Sequence, residues 1–173
     1  MNNFETIKKN IKLMMTRRGC IVKNFVESED FFPKYIVENE NGETVFVYFI
    51  EKSDNVIKIT TSLLKNIMAA SKNIVNIVIV HNTVLTPDAK NCIQKGVDLY
   101  NFQTFTYDEM SFDYFEILPE DPQIKILDSK IPNWNKLPIL LYTDPLARYM
   151  NAKPGDILQG KFGDDLITLR RCV

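Results

Sequence analysis

The chain is poor in the residues that build metal and redox chemistry. His81 is the only histidine among 173 residues, which excludes a histidine-pair metal site. Cys20, Cys92 and Cys172 are odd in number and far apart. They lack the paired spacing of zinc sites or disulfide frameworks, so reduced thiols in or near a core are expected. No apolar run approaches the length of a membrane span, so no membrane partner is expected. Residues 1–12 alternate charged and apolar groups where a secretory signal would be continuously apolar, and an intracellular protein is the expectation. An excess of one charge is missing too, since 21 Lys and Arg face 22 Asp and Glu for a formal net charge of −1. Phosphate neutralisation gives independent nucleic-acid binders most of their affinity, so any DNA contact should be local and assisted by other chains.

What remains is ordinary globular composition, 45% hydrophobic and 25% charged, enough for one domain or two small ones. Phe4, Ile7, Ile11, Met14 and Met15 recur at helical spacing, and Gly19 is placed to stop that helix after Arg17-Arg18. Strands are expected over 20–26, 35–38 and 44–50. Glu27 to Phe32 reads as a solvated loop, and Asn41-Gly42 as a hairpin turn because both residues accept positive φ. Thr60 or Thr61 caps a helix through Ala70, and Ile74 to Val80 is a β-branched run suited to a central strand covered on both faces. Thr86-Pro87-Asp88 opens another helix that Gly96 ends, and Leu99 to Phe105 is the last strand of this part. The pattern is a layered α/β domain.

Composition changes near Tyr107. Asp108, Glu109, Asp113, Glu116, Glu120 and Asp121 form an acidic junction, and Pro119, Pro122, Pro132 and Pro138 forbid long helices beyond it. Two domains are therefore expected, 1–108 and 109–173, the second a small α+β unit whose limited core a partner would steady. Within it Ile139 to Tyr142 suits a strand. Asp144 is an N-cap with Pro145 at the first helical position, Asn151 is a left-handed stop, and Pro154-Gly155 is a tight turn. A final hairpin pairs 157–162 with 166–172 around Gly163-Asp164-Asp165.

Leu137-Pro138, Asp144-Pro145, Ala147-Arg148-Tyr149 and Lys153-Pro154-Gly155 together resemble the assembly-domain signature of the fifth subunit of eukaryotic RNA polymerases, which the archaeal enzymes share. Asn151 stands where that family usually has Gly. Phe115-Glu-Ile-Leu-Pro119 is similar to the segment that opens the assembly domain, with Phe115 in place of histidine. Residues before 109 look like the jaw domain of the eukaryotic-type subunits, a fold similar to restriction-type nucleases, and Thr86-Pro87-Asp88-Ala89-Lys90 resembles the turn at the jaw tip. The final hairpin is shorter than is usual in the family.

The resemblance implies a noncatalytic subunit of DNA-directed RNA polymerase, nuclear if cellular, or in the virion or the host cytoplasm or nucleus if from a large DNA virus. It implies docking on the largest subunit and, for the jaw, a position near downstream duplex DNA. Thr86, Pro87 and Lys90 are the expected phosphate contacts, since a helix N-terminus carries partial positive charge; Asp88 opposes and Lys95 assists. Tyr142, Asp144, Pro145, Arg148, Tyr149, Lys153 and Gly155 are the expected docking residues, with Arg148, Tyr142 and Tyr149 as anchors.

Two alternatives stand beside this reading. One is a metal-dependent nuclease, which needs an aspartate on one strand and an acidic residue, one spacer and a lysine on the next. Glu51-Lys52 lacks the spacer, and adjacent strand residues point to opposite faces. The other is an adaptor that uses the assembly domain outside polymerase. His81, at the end of an apolar strand, is read as a hydrogen-bonded structural residue, since no nucleophile at motif spacing accompanies it. No cofactor, metal or catalytic residue is assigned.

Overall fold

A computed structural model describes residues 4–27, 31–53, 55–95, 100–118, 122–127, 131–164 and 166–173. It is a mixed α/β protein with several sheets. The chain divides into two compact units, Met1–Ser111 and Phe112–Val173, a break that falls three residues beyond residue 108. Met110 explains the difference: it is wholly buried, and its carbonyl accepts a hydrogen bond from the Asn10 side chain at 3.0 Å. The chain is thus held by the first core for three residues past 108.

In the first unit the elements run α1 (Phe4–Arg17), β1 (Ile21–Val26), β2 (Lys34–Glu38), β3 (Thr44–Ile50), β4 (Lys58–Ile59), α2 (Thr61–Ser71), β5 (Asn76–His81), β6 (Val84–Leu85), α3 (Pro87–Lys95) and β7 (Asn101–Thr106). Gly19 has φ +75° just past α1, the left-handed stop that its position requires. Thr60 caps α2, its hydroxyl accepting from the Leu63 amide. Gly96, expected to end α3, lies outside the described residues, as does most of the Glu27 to Asp30 loop.

The five-stranded sheet has the order β1-β2-β3-β5-β7. β1 to β3 form an antiparallel meander, and β3, β5 and β7 run parallel through the α2 and α3 crossovers. β3 is therefore the middle strand, and the expected central run at 74–80 is its neighbour. Side chains alternate across the pleat, so Tyr48, Ile50, Ile77, Ile79 and Phe102 pack on one face with Leu64 and Ile67 of α2 and Ala89 of α3. On the other face Phe4 of α1 meets Phe49 edge to face at 5.4 Å, and Tyr35 packs on Phe49 at 5.6 Å. Ile7, Ile11, Met14 and Met15 of α1 are buried, each contributing about 1.5–3 kcal/mol by leaving water.

The β2–β3 hairpin forms around Asn41-Gly42 as expected, but with one positive φ in place of two. Only Gly42 takes positive φ, at +78°. Asn39 builds the loop, its side-chain oxygen accepting from the amides of Asn41 and Glu43 at 3.0 and 2.8 Å. The two-residue parallel ladder of β4 and β6 was not expected, because ladders this short leave no periodicity to read.

The second unit contains two short 3-10 helices (Tyr114–Ile117 and Trp134–Lys136), β8 (Gln123–Ile126), β9 (Ile139–Leu140), α4 (Pro145–Met150), β10 (Ile157–Phe162) and β11 (Leu166–Cys172). Its sheet has the order β8-β10-β11-β9, with β9 parallel to β11. β9 is shorter than the strand expected over 139–142. Asp165 and Pro119 lie outside the described residues.

Gly160, in the middle of β10, is fixed by close approach. A Cβ there would sit 2.8 Å from the ring of Phe162 and 3.0 Å from the Thr168 hydroxyl. Gly160→Ala should cost about 1–3 kcal/mol through overpacking, measured as a lower urea midpoint. A midpoint equal to that of the parent would show that the Phe162 ring yields freely.

Candidate functional site

Three places carry the expected functional residues. The first is the signature segment of the second unit, where local chemistry folds each turn. Asp144 accepts the Leu146 amide at 2.8 Å, Pro145 occupies the first helical position, and Asn151 ends α4 at φ 61°. Asp156, not singled out from the sequence, accepts the Lys153 amide at 2.7 Å while its own amide donates to the Lys153 carbonyl, closing the turn in which Gly155 takes φ +99°. The signal was the Pro-Gly-Asp order, an Asx acceptor beside a turn.

This segment separates the expected docking residues into two groups. Tyr142, Pro145 and Lys153 are exposed, Tyr142 at 52%. Asp144, Arg148 and Gly155 are half-buried. Tyr149 is a correction: it is 1% exposed and packs on Tyr114 at 5.1 Å and Phe115 at 5.7 Å. It is a core side chain of the second unit, so it offers no surface to a partner. On a helix of one and a half turns the buried face depends on what packs against it, which the sequence of the helix does not state. Ile139 and Leu141, not expected as docking residues, are 52% and 58% exposed beside Tyr142. The run is pinned by the Tyr142 amide donating to the Val173 carbonyl and the Val173 amide donating to Leu140.

The second place is the start of α3. The Thr86 hydroxyl accepts the Ala89 amide at 3.3 Å, and Pro87 has no amide proton. Among the first helical positions this leaves the amide of Asp88, next to its own carboxylate. The backbone therefore offers a phosphate less than a free helix N-terminus would, and an anion contact there falls to the exposed side chains of Lys90 and Lys95.

The third is the set of strand ends around His81. Its Nδ1 donates to the Thr83 carbonyl at 2.9 Å, which fixes the tautomer with Nε2 bare. Burial pushes its pKa below the usual value, against the opposing effects of the Thr83 carbonyl and the Glu109 carboxylate. Glu51 and Lys52 follow β3 and are exposed. The acid carried by β2 is Glu38, which pairs across from Thr44 at the opposite end of β3 and is bridged to Lys23 at 3.3 Å. Glu38 and Glu51 are thus roughly 20 Å apart along the strands, too far to share one cation. Among the described residues no three His, Cys, Asp or Glu side chains are grouped as a metal site, and no helix is long and apolar enough to cross a membrane. Cys172 is buried, and Cys20 and Cys92 are partly so.

Tyr149→Ala should lose about 3–5 kcal/mol of stability in urea unfolding, while Tyr142→Ala stays within about 0.5 kcal/mol of the parent; equal losses would contradict the assignment of core and surface. For His81 the folded pKa lies below the unfolded one, so its contribution is complete above about pH 6.5 and declines as pH falls toward the folded value. The urea midpoint should drop on going from pH 7.5 to 5.5, and His81→Gln should flatten that drop.

No protein-family model matches the chain. Among solved structures, the apo form of EndoMS aligns with 57% of this chain at 12% identity and a TM-score of 0.38. The match spans 45% of the EndoMS chain, and a likeness of this size carries no argument about either fold or activity.

Proposed function

We propose that the protein is a noncatalytic subunit of a multisubunit DNA-directed RNA polymerase, similar to the fifth subunit of the eukaryotic enzymes. The observation that carries this reading is the folded signature segment. The residues of the resemblance, Asp144-Pro145 and Lys153-Pro154-Gly155, serve as cap and turn of one compact strand–helix–strand unit, and Asn151, where the family usually has Gly, supplies the left-handed stop between them. The same unit leaves Ile139, Leu141 and Tyr142 exposed side by side. Its buried residues are few, chiefly Tyr114, Ala147, Tyr149, Met150, Ala152, Ile157, Leu158 and Cys172, and a domain of this size gains much from a partner that covers apolar surface.

In this reading the second unit docks on the largest polymerase subunit through Leu141 and Tyr142, with Asp144, Pro145, Arg148, Lys153 and Gly155 shaping or flanking the contact. The first unit is the jaw, a rigid body of restriction-endonuclease-like kind beside downstream duplex DNA, touching phosphate through Lys90 next to Thr86 and Pro87. Its work is geometric. The nucleotidyl transfer and its metal ions belong to the largest subunits. The nuclease alternative loses support from the distance between Glu38 and Glu51, and the adaptor alternative has no observation of its own.

The test is co-purification. Tagged protein should recover the largest polymerase subunit from its native source, and the double variant Leu141→Ala, Tyr142→Ala should reduce that recovery at least tenfold, as expected when an aromatic anchor is removed, with urea stability unchanged. Undiminished recovery would remove these residues from the interface, and absence of polymerase subunits with the parent protein would remove the reading itself.

A further inference from the structure

The run that exposes the Leu141 and Tyr142 side chains also leaves backbone groups unpaired. β9 is the last strand in the order β8-β10-β11-β9, and its extended course outlasts the two-residue ladder. The Arg171 amide donates to the Pro138 carbonyl at 3.0 Å, the Val173 amide to the Leu140 carbonyl at 3.0 Å, and the Tyr142 amide to the Val173 carbonyl at 2.7 Å. From Pro138 to Tyr142, therefore, every second residue turns its backbone toward β11.

In a strand the amide and carbonyl of one residue point to the same side, and those of the next residue point to the other. Ile139 and Leu141 are the residues between, so their polar backbone atoms point out of the sheet. The Leu141 carbonyl is taken by the Asp144 amide at 2.9 Å. The Ile139 amide, the Ile139 carbonyl and the Leu141 amide have no hydrogen-bond partner among the described residues. They belong to residues that are 52% and 58% exposed, so a ligand can reach them.

A row of donor, acceptor and donor along a sheet edge is a template for another extended main chain. A helical partner satisfies its own backbone and would leave the row unpaired. Folded proteins blunt such edges with charge, and the opposite edge of this sheet, β8, carries the exposed residues Gln123 and Lys125. The run Ile139-Leu140-Leu141 carries no charge. Ile139 and Leu141 also project their side chains to one face, so a strand laid beside them meets apolar surface at every second position.

We infer that the docking partner binds this edge by strand addition: an extended segment of the partner polypeptide, apolar at alternate positions, pairs with the Ile139 amide and carbonyl and the Leu141 amide and becomes the next strand after β9. The inference rests on the docking reading and specifies its mode, main chain against main chain beside the Leu141 and Tyr142 side chains.

Proline separates the backbone contribution from that of the side chain. Leu141→Pro deletes an outward amide, which an edge strand tolerates because no bond within the sheet is lost, whereas Leu141→Ala shortens the side chain and keeps the amide. In co-purification from the native source, Leu141→Pro should recover about five- to tenfold less of the largest polymerase subunit than Leu141→Ala, the worth of one hydrogen bond. Equal recovery by the two folded variants would overturn strand addition and leave side-chain docking intact. Where the proline variant does not fold, amide exchange of the parent protein, read residue by residue by mass spectrometry, decides. In the isolated chain Ile139 and Leu141 should exchange faster than Tyr142, and in the recovered complex both should slow by about tenfold or more. Exchange at 139 and 141 that is the same in the complex as in the isolated chain would overturn the inference. Slowing that grows with protein concentration in the isolated chain would overturn the partner as its source and assign the edge to a second copy of this chain. A parent protein that recovers no polymerase subunit would remove the docking reading and this inference with it, a failure distinct from the others.

Discussion

Strand β3 is covered on both faces, and the chemistry of the first unit follows from that constraint. Tyr48 and Ile50 face α2 and α3 while Val47 and Phe49 face α1, so every one of these side chains is buried. A carboxylate in the middle of this strand would face apolar neighbours on either side, at a cost that only a partner charge or a metal offsets. The strand itself, Thr44 to Ile50, carries no charged residue. The polar and charged groups are displaced to the strand ends, Glu38 and Glu43 at one and Glu51, His81, Tyr107 and Glu109 at the other. The polar and charged groups of the first unit thus sit at its margins. In the proposed role as a jaw, such an arrangement leaves contact with DNA to the ends of the strands and helices.

The second unit obeys a different constraint. Its core is small, and turn chemistry does much of the specification: the Asp144 cap, the left-handed Asn151 and the Asp156 acceptor fix three reversals within a short stretch of chain. Each such element is worth only about 0.5–2 kcal/mol, so the unit is defined in shape before it is strongly stabilised. Packing Tyr149 against Tyr114 and Phe115 uses the aromatic residues for the core. The Ile139 to Tyr142 run is left outside. A unit so built gains stability by covering that run, which links its folding to its proposed role.

Much of this was legible in the sequence wherever the signal is local. The caps at Thr60, Thr86 and Asp144, the Asn151 stop and the final hairpin are set by residues within a few positions of each other. Long-range pairing was not legible. β8 and β9 are short strands whose partners lie about thirty residues or more away, and the β4–β6 ladder has no pattern at all. The Asn41-Gly42 signal marked the right place with the wrong atoms, because the side chain of Asn39 competes for the turn amides. Tyr149 was misread for a similar reason. An aromatic residue beside an arginine reads as an interface pair, and only the position of Tyr114 and Phe115 turns it inward. The Nε2 of His81, buried with no hydrogen-bond partner among the described residues, needed the fold as well, since the sequence states that a histidine ends a strand but not which nitrogen Thr83 engages.

The most direct measurement of the central claim is a photo-crosslinking residue placed at position 142 in the protein expressed in its native source. The account predicts a single major adduct, joining position 142 to the largest polymerase subunit and identified by mass spectrometry of the joined peptides. An adduct to a protein outside the polymerase, or none above the yield from another exposed position such as 125 on β8, would contradict it.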